Sequence, residues 1–163
     1  MALSRVLGAF LLLAASIAAG GELHGVVVGV TDGDTITVLD DTRKQHKVRL
    51  AGIDAPEKHQ GFAETSKQHL ANLAWKKQAT LDCYKTDQYK RKVCRVWVAG
   101  KDIALAQVQA GLAWHYKRFE KEQTPSERAS YARAEEDARD LRIGLWQSKR
   151  PVPPWEFRRQ GNK

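Results

Sequence analysis

Asp34–Ile53 reads DTITVLDDTRKQHKVRLAGI, and the fold depends on how this stretch is parsed. Ile36 and Val38 alternate with Thr35 and Thr37, and Val48 and Leu50 flank Arg49. Successive side chains of a strand point to opposite faces, so this period of two predicts strands over 34–40 and 46–53. The polar run from Asp40 to Lys44 is the turn between them. Working upstream, LHGVVVGV (23–30) is rich in β-branched residues and adds a strand, joined by TDGD (31–34). Downstream, ATLDCY (79–84) and VCRVWV (93–98) form a second hairpin around the polar loop KTDQYKRK.

Helical periodicity fills the rest. Ala63, Leu70, Leu73 and Ala74 share one face of a helix over 63–77. Asp102 can cap a short helix over 103–110 that stops at Gly111. TPSE (124–127) is the clearest helix start: Thr124 as N-cap, Pro125 first in the helix and Glu127 closing a capping box. Tyr131, Ala134, Ala138, Leu141 and Leu145 then recur at three- and four-residue steps as one apolar stripe, read as core. The tail RPVPPWEFRR holds three of the five prolines. It is expected to run extended, with Trp155 pinning it to the body. Five short strands with an inserted helix and two helices after them predict an α+β domain. A small five-stranded barrel of the oligonucleotide/oligosaccharide-binding (OB) type, with three helices, is the architecture that fits.

The chain has 163 residues, 42% hydrophobic and 28% charged, which suits one domain with a real core. Its start reads separately. Arg5, the apolar run Val6–Ala15 and the small residues Ser16, Ala18, Ala19 and Gly20 have the pattern of a cleaved secretory signal peptide. A membrane anchor is the alternative, but the run is short for a span. The expected organisation is a signal peptide over 1–20, a domain over 21–150 and a basic, proline-rich tail over 151–163. The mature protein is then a secreted or periplasmic monomer with no membrane association. A formal charge of +8 and a pI near 9.6 suggest a polyanionic partner, nucleic acid or an anionic surface. Without a C-x-x-C pair, and with five histidines off zinc-finger spacing, a zinc site is not indicated. Cys83 and Cys94 flank the 86–92 loop almost symmetrically. They are either a disulfide, the choice an oxidising compartment favours, or two buried thiols.

Three loops carry candidate chemistry. TDGDT (31–35) is a good hairpin turn, yet it also sets Asp32 and Asp34 beside each other at a sheet edge. VRLAGIDAPE (48–57) is a strand running into a proline turn, or a source of Arg49, Asp54 and Glu57. On a continuous strand Arg49 and Asp54 face opposite sides, unless Gly52 allows a bulge. TDQYKRK (86–92) is a solvated basic tip, or a second arginine, Arg91, beside Tyr89. Jointly the loops offer carboxylates for a hard cation and arginine forks for phosphate oxygens, the parts phosphodiester hydrolysis needs.

The order VTDGDTITV, VRLAGIDAPE, TDQYKR, QAGLAWHYK, GLW resembles the staphylococcal nuclease (thermonuclease) family over about 24–147. That resemblance implies an OB-type barrel and a calcium-dependent nuclease acting on DNA, RNA or both and leaving 3′-phosphates. It implies Asp34, Asp54 and the backbone carbonyl of Ala55 as calcium ligands. Glu57 then activates or orients the attacking water, and Arg49 and Arg91 face the phosphate. Tyr89 and Tyr116 are the candidates to contact substrate. The family usually has glycine where this chain has Lys90, and its nucleotide-packing tyrosines lie in a longer segment than AWHYK. The alternative is a non-catalytic OB domain that binds nucleic acid. Such a domain has no use for carboxylates and arginines held together against mutual repulsion.

Overall fold

In the computed structural model, which describes residues 22–161, five strands close on themselves into a barrel. Strand β1 (Leu23–Val30) pairs antiparallel with β2 (Thr35–Asp40), and β2 with β3 (Gln45–Leu50). After β3 the chain turns into a two-residue strand, β4 (Ile53–Asp54), and then helix α1 (Ala63–Ala74). Strand β5 (Gln78–Thr86) pairs with β1 on one side and with β6 (Lys92–Val98) on the other. The ring closes where β6 runs parallel to β3, with Arg49 opposite Val93 and Leu50 opposite Cys94. The short β7 (Lys101–Asp102) leads into α2 (Ile103–Gln109), and β8 (Trp114–His115) pairs with β4. Helices α3 (Pro125–Asp140) and α4 (Pro154–Gly161) complete the chain. The signal-peptide expectation falls on residues outside those described. Among the described residues, no helix is long and apolar enough to cross a membrane.

The alternation in the strands builds the core. Val27, Ile36, Val38, Val48, Leu50, Leu81 and Val96 are all buried, with Leu70 and Ala74 from α1 and Ile103 and Val108 from α2 in the same cluster. A second cluster gathers Trp114, Ala138, Leu145 and Trp146, with Trp155 packed against it. The starts of α2 and α3 carry side-chain caps. Asp102 Oδ1 accepts from the Ala104 and Leu105 amides, and Thr124 and Glu127 form the capping box. Each satisfies amide groups that have no partner within the helix.

Two expectations need correction. Leu141 is 70% exposed and no part of the α3 stripe. The helix ends at Asp140 and Arg142 takes a left-handed φ of 50°, so Leu141 and Leu145 both fall beyond its last turn, and Leu145 reaches the second cluster from the segment that follows. The tail is not extended throughout, because α4 begins at Pro154. Proline in a first helical turn loses no hydrogen bond and has its φ already set, so PVPP leads into a helix instead of preventing one. The Glu156 and Phe157 amides both donate to Pro153 O.

Cys83 and Cys94 face each other in register across β5 and β6 and are joined as a disulfide. The bridge closes a loop of sequence separation 11, and cross-linking a loop of that size stabilises by about 3 kcal/mol through the unfolded state. Replacing both with alanine should lower the unfolding free energy by about that amount in chemical denaturation. Unfolded but unreduced protein should show no reactive thiol; two thiols would contradict the bridge.

Candidate active site

Asp34 is set in place by a close-packed turn. The Thr31 amide donates to Thr35 O, and the Asp34 amide to Asp32 Oδ1 at 3.0 Å. Gly33 between them is needed for space, since its φ is not left-handed. A Cβ built there would lie 1.9 Å from Ser66 Oγ and 2.8 Å from Ala55 Cβ. The turn is also tethered from below. Gln107, fully buried on α2, donates through Nε2 to Gly33 O at 2.7 Å and to Ser66 O at 3.0 Å. Gly33→Ala should therefore cost about 1–3 kcal/mol of stability, as overpacking of a tight site does, read as a lowered midpoint in chemical denaturation. Unchanged stability would mean the turn has room that the packing denies.

Asp34 and Asp54 are only 6% and 1% exposed, and one guanidinium spans them. Arg49 Nη1 lies 3.2 Å from Asp34 Oδ2, and Nη2 donates to Asp54 Oδ1 at 3.0 Å. What brings Arg49 and Asp54 together is Gly52. Its φ of 76° is open to glycine and costly to others, and it breaks the strand between them. Arg49 Nη1 also donates to Ile53 O at 3.0 Å, which ties the fork across that turn. Asp34 is held further by the Thr35 hydroxyl at 2.9 Å and the Ala55 amide at 3.0 Å, so residue 55 sits against the Asp34 carboxylate. Burial, and then the charge of Asp34, push the Asp32 carboxyl up to about 6.

Arg91 comes from the β5–β6 loop. Lys90, where the family usually has glycine, adopts φ 61°, the left-handed conformation glycine favours. Asp87 braces the strained loop: its Oδ1 accepts from the Tyr89 and Arg91 amides, and its Oδ2 from Arg91 Nε at 2.8 Å. Arg91 Nη1 then donates to Thr35 Oγ1 at 3.1 Å, and Thr35 in turn donates to Asp34. Arg95, on β6, is spent elsewhere, on Asp82 and Glu127. Glu57 follows Pro56, with its amide donating to Gln60 Oε1. Tyr89 is 69% exposed at the loop tip. Tyr116 is stacked on Trp155, with ring centroids 5.2 Å apart and planes 13° from parallel.

Asp34, Arg49, Asp54, Ala55, Glu57, Tyr89, Arg91 and Tyr116 all line one cleft of about 960 Å³. One more residue joins them that sequence reasoning missed. Arg158, on α4, donates to Asp54 Oδ2 at 2.8 Å, to Asp54 Oδ1 at 3.3 Å and to Glu57 Oε1. The signal was in WEFRR, which as a helix puts Arg158 three residues from Trp155 and on its face. Reading the tail as extended hid it. A hard divalent cation suits the donor set: two buried carboxylates side by side, with residue 55 adjoining. Among the described residues, no three His, Cys, Asp or Glu side chains converge on one point, so backbone or water oxygens would complete its shell.

Residues 47–148 match the model of the family described as staphylococcal nuclease homologue, more than half of the chain. The chain belongs to that family. Staphylococcal nuclease homologues are hydrolases of the nuclease class, and this chain is one of them. It is similar to a protein named ParB of Escherichia coli, 36% identical over 99% of this chain and 93% of that one. It is similar to an uncharacterized endonuclease of Haemophilus influenzae, 40% identical over 82% of this chain and 72% of the other. A micrococcal nuclease of Shigella flexneri is 34% identical over 98% of this chain and 94% of its own length. The staphylococcal nuclease match spans β3 to the segment after α3, which carries every residue of the cleft named above except Asp34 and Arg158.

Proposed function

We propose that this protein is an exported, calcium-dependent nuclease that cleaves phosphodiester bonds of DNA, RNA or both and leaves 3′-phosphates. The observation that carries it is the pairing of Asp34 and Asp54, two buried carboxylates bridged by Arg49 in one cleft. Calcium held by Asp34, Asp54 and the Ala55 carbonyl would neutralise charge on a phosphate oxygen. Glu57, at the cleft and outside the Arg49 bridge, accepts a proton from the attacking water or orients it. Arg49 and Arg91 donate to the phosphate oxygens as negative charge grows on them. Attack in line with the 5′ oxygen then leaves the phosphate on the 3′ side. Tyr89 lies at the cleft mouth, where it can pack on the substrate. The disulfide and the pattern of residues 1–20 support export to an oxidising compartment. The products test this reading. A 5′-labelled strand cut by the protein should give labelled fragments that ligase cannot join to a 5′-phosphorylated oligonucleotide until a 3′-phosphatase has removed their 3′-phosphate; labelled fragments that ligate directly would contradict it.

A further inference from the structure

The mechanism above makes no use of Arg158. Its guanidinium covers both oxygens of Asp54 and reaches Glu57. Asp54 is buried, so its oxygens are shared between Arg49 and Arg158 with little solvent to turn to. Arg158 arrives from far along the chain, on α4, and that helix is fastened over the cleft. Trp155 stacks on Tyr116 and meets Trp114 edge-on with centroids 5.7 Å apart. Just before α4, Val152 O accepts from Gln60 Nε2, next to the Glu57 turn.

We propose that Arg158 is a built-in counter-cation of the metal site, and that α4 is a strap holding the cleft closed until a divalent cation displaces it. The inference rests on Asp54 as a calcium ligand. A guanidinium on both oxygens of a carboxylate and a cation on the same oxygens exclude each other, so the two compete for one charge. Calcium binding then lifts Arg158 from Asp54 and loosens the helix it belongs to. The Trp155–Tyr116 stack covers an aromatic face of the cleft, so a substrate base that packs there works against the same closed strap. Metal and substrate thereby favour each other's binding through one shared displaced element.

Calcium titration by calorimetry, without nucleic acid, tests this on the wild type and three variants. Arg158→Ala should bind calcium about five- to tenfold more tightly than wild type, as loss of a charge-assisted, half-exposed competitor implies. Arg159→Ala removes the same charge from the same helix. Its side chain is 74% exposed and, among the described residues, paired only with Glu156 at 3.9 Å, so its affinity should stay at the wild-type value. Trp155→Ala alters no charge in the site but unfastens the helix, and should tighten binding in the same direction. If Arg158→Ala binds no more tightly than Arg159→Ala, the strap is wrong and the metal assignment stands. If none of the four proteins binds calcium, the metal assignment falls and the strap falls with it.

Discussion

Arg49→Lys should lower turnover about a hundred- to thousandfold, the cost of losing one well-placed donor at a developing oxyanion. Lysine keeps the charge but not the planar fork. Arg49 uses that fork to reach Asp34, Asp54 and Ile53 O from one guanidinium, and a single ammonium cannot span the same set. A solvated surface arginine would change neither rate nor stability measurably. The same replacement at Arg91 loses either the Asp87 contact or the Thr35 contact, which together aim the side chain at the cleft. Its turnover should fall in the same range, with KM and melting temperature moving far less than kcat. If Arg49→Lys and Arg91→Lys both retain near wild-type kcat, the arginines do not act on the transition state. Arg95 offers no substitute, since its guanidinium is committed to Asp82, Glu127 and Glu122 O.

Asp34→Ala should abolish calcium-stimulated cleavage, a loss of about a thousandfold or more if the metal supplies several kcal/mol to the transition state. Alanine also strands the Thr35 hydroxyl, the Ala55 amide and one side of Arg49. Asp34→Asn is therefore the informative companion. It keeps an oxygen for the Ala55 amide and Arg49, which share Asp34 Oδ2, and removes the charge that a cation needs. Both variants should fail to bind calcium by calorimetry, while Asp34→Asn keeps a melting temperature close to wild type. Full activity in Asp34→Asn would move the metal ligands elsewhere.

The parts of the fold legible in the sequence are those set by local chemistry. Alternation in TITV and HKVRL marked β2 and β3, and Thr124, Pro125 and Glu127 announced α3. The cleft was legible in the same way, since Asp34, Arg49, Asp54, Glu57 and Arg91 lie in three short sequence motifs whose order is itself informative. What escaped depends on contacts between distant segments. Gln107 looked like an ordinary residue of a short helix, and only the fold shows its amide holding the Gly33 carbonyl 74 positions away. The need for glycine at 33 came from Ser66 and Ala55, not from the turn it sits in. Arg158 was one more charge in a basic tail until α4 laid it on Asp54. Lys90 went the other way. It stands where the family usually has glycine, yet the hydrogen bonds of Asp87 hold it in the conformation that a glycine there would take freely.

Chelator reversal of cleavage tests the central claim most directly. The protein is incubated with double-stranded DNA and with RNA in calcium, then with a calcium chelator in excess, then with calcium restored. A calcium-dependent nuclease built on Asp34 and Asp54 cuts at least one of the two substrates in calcium, stops in the chelator and resumes when calcium returns. Cleavage that continues undiminished in the chelator, or nucleic acid that is bound but left uncut in calcium, would contradict it.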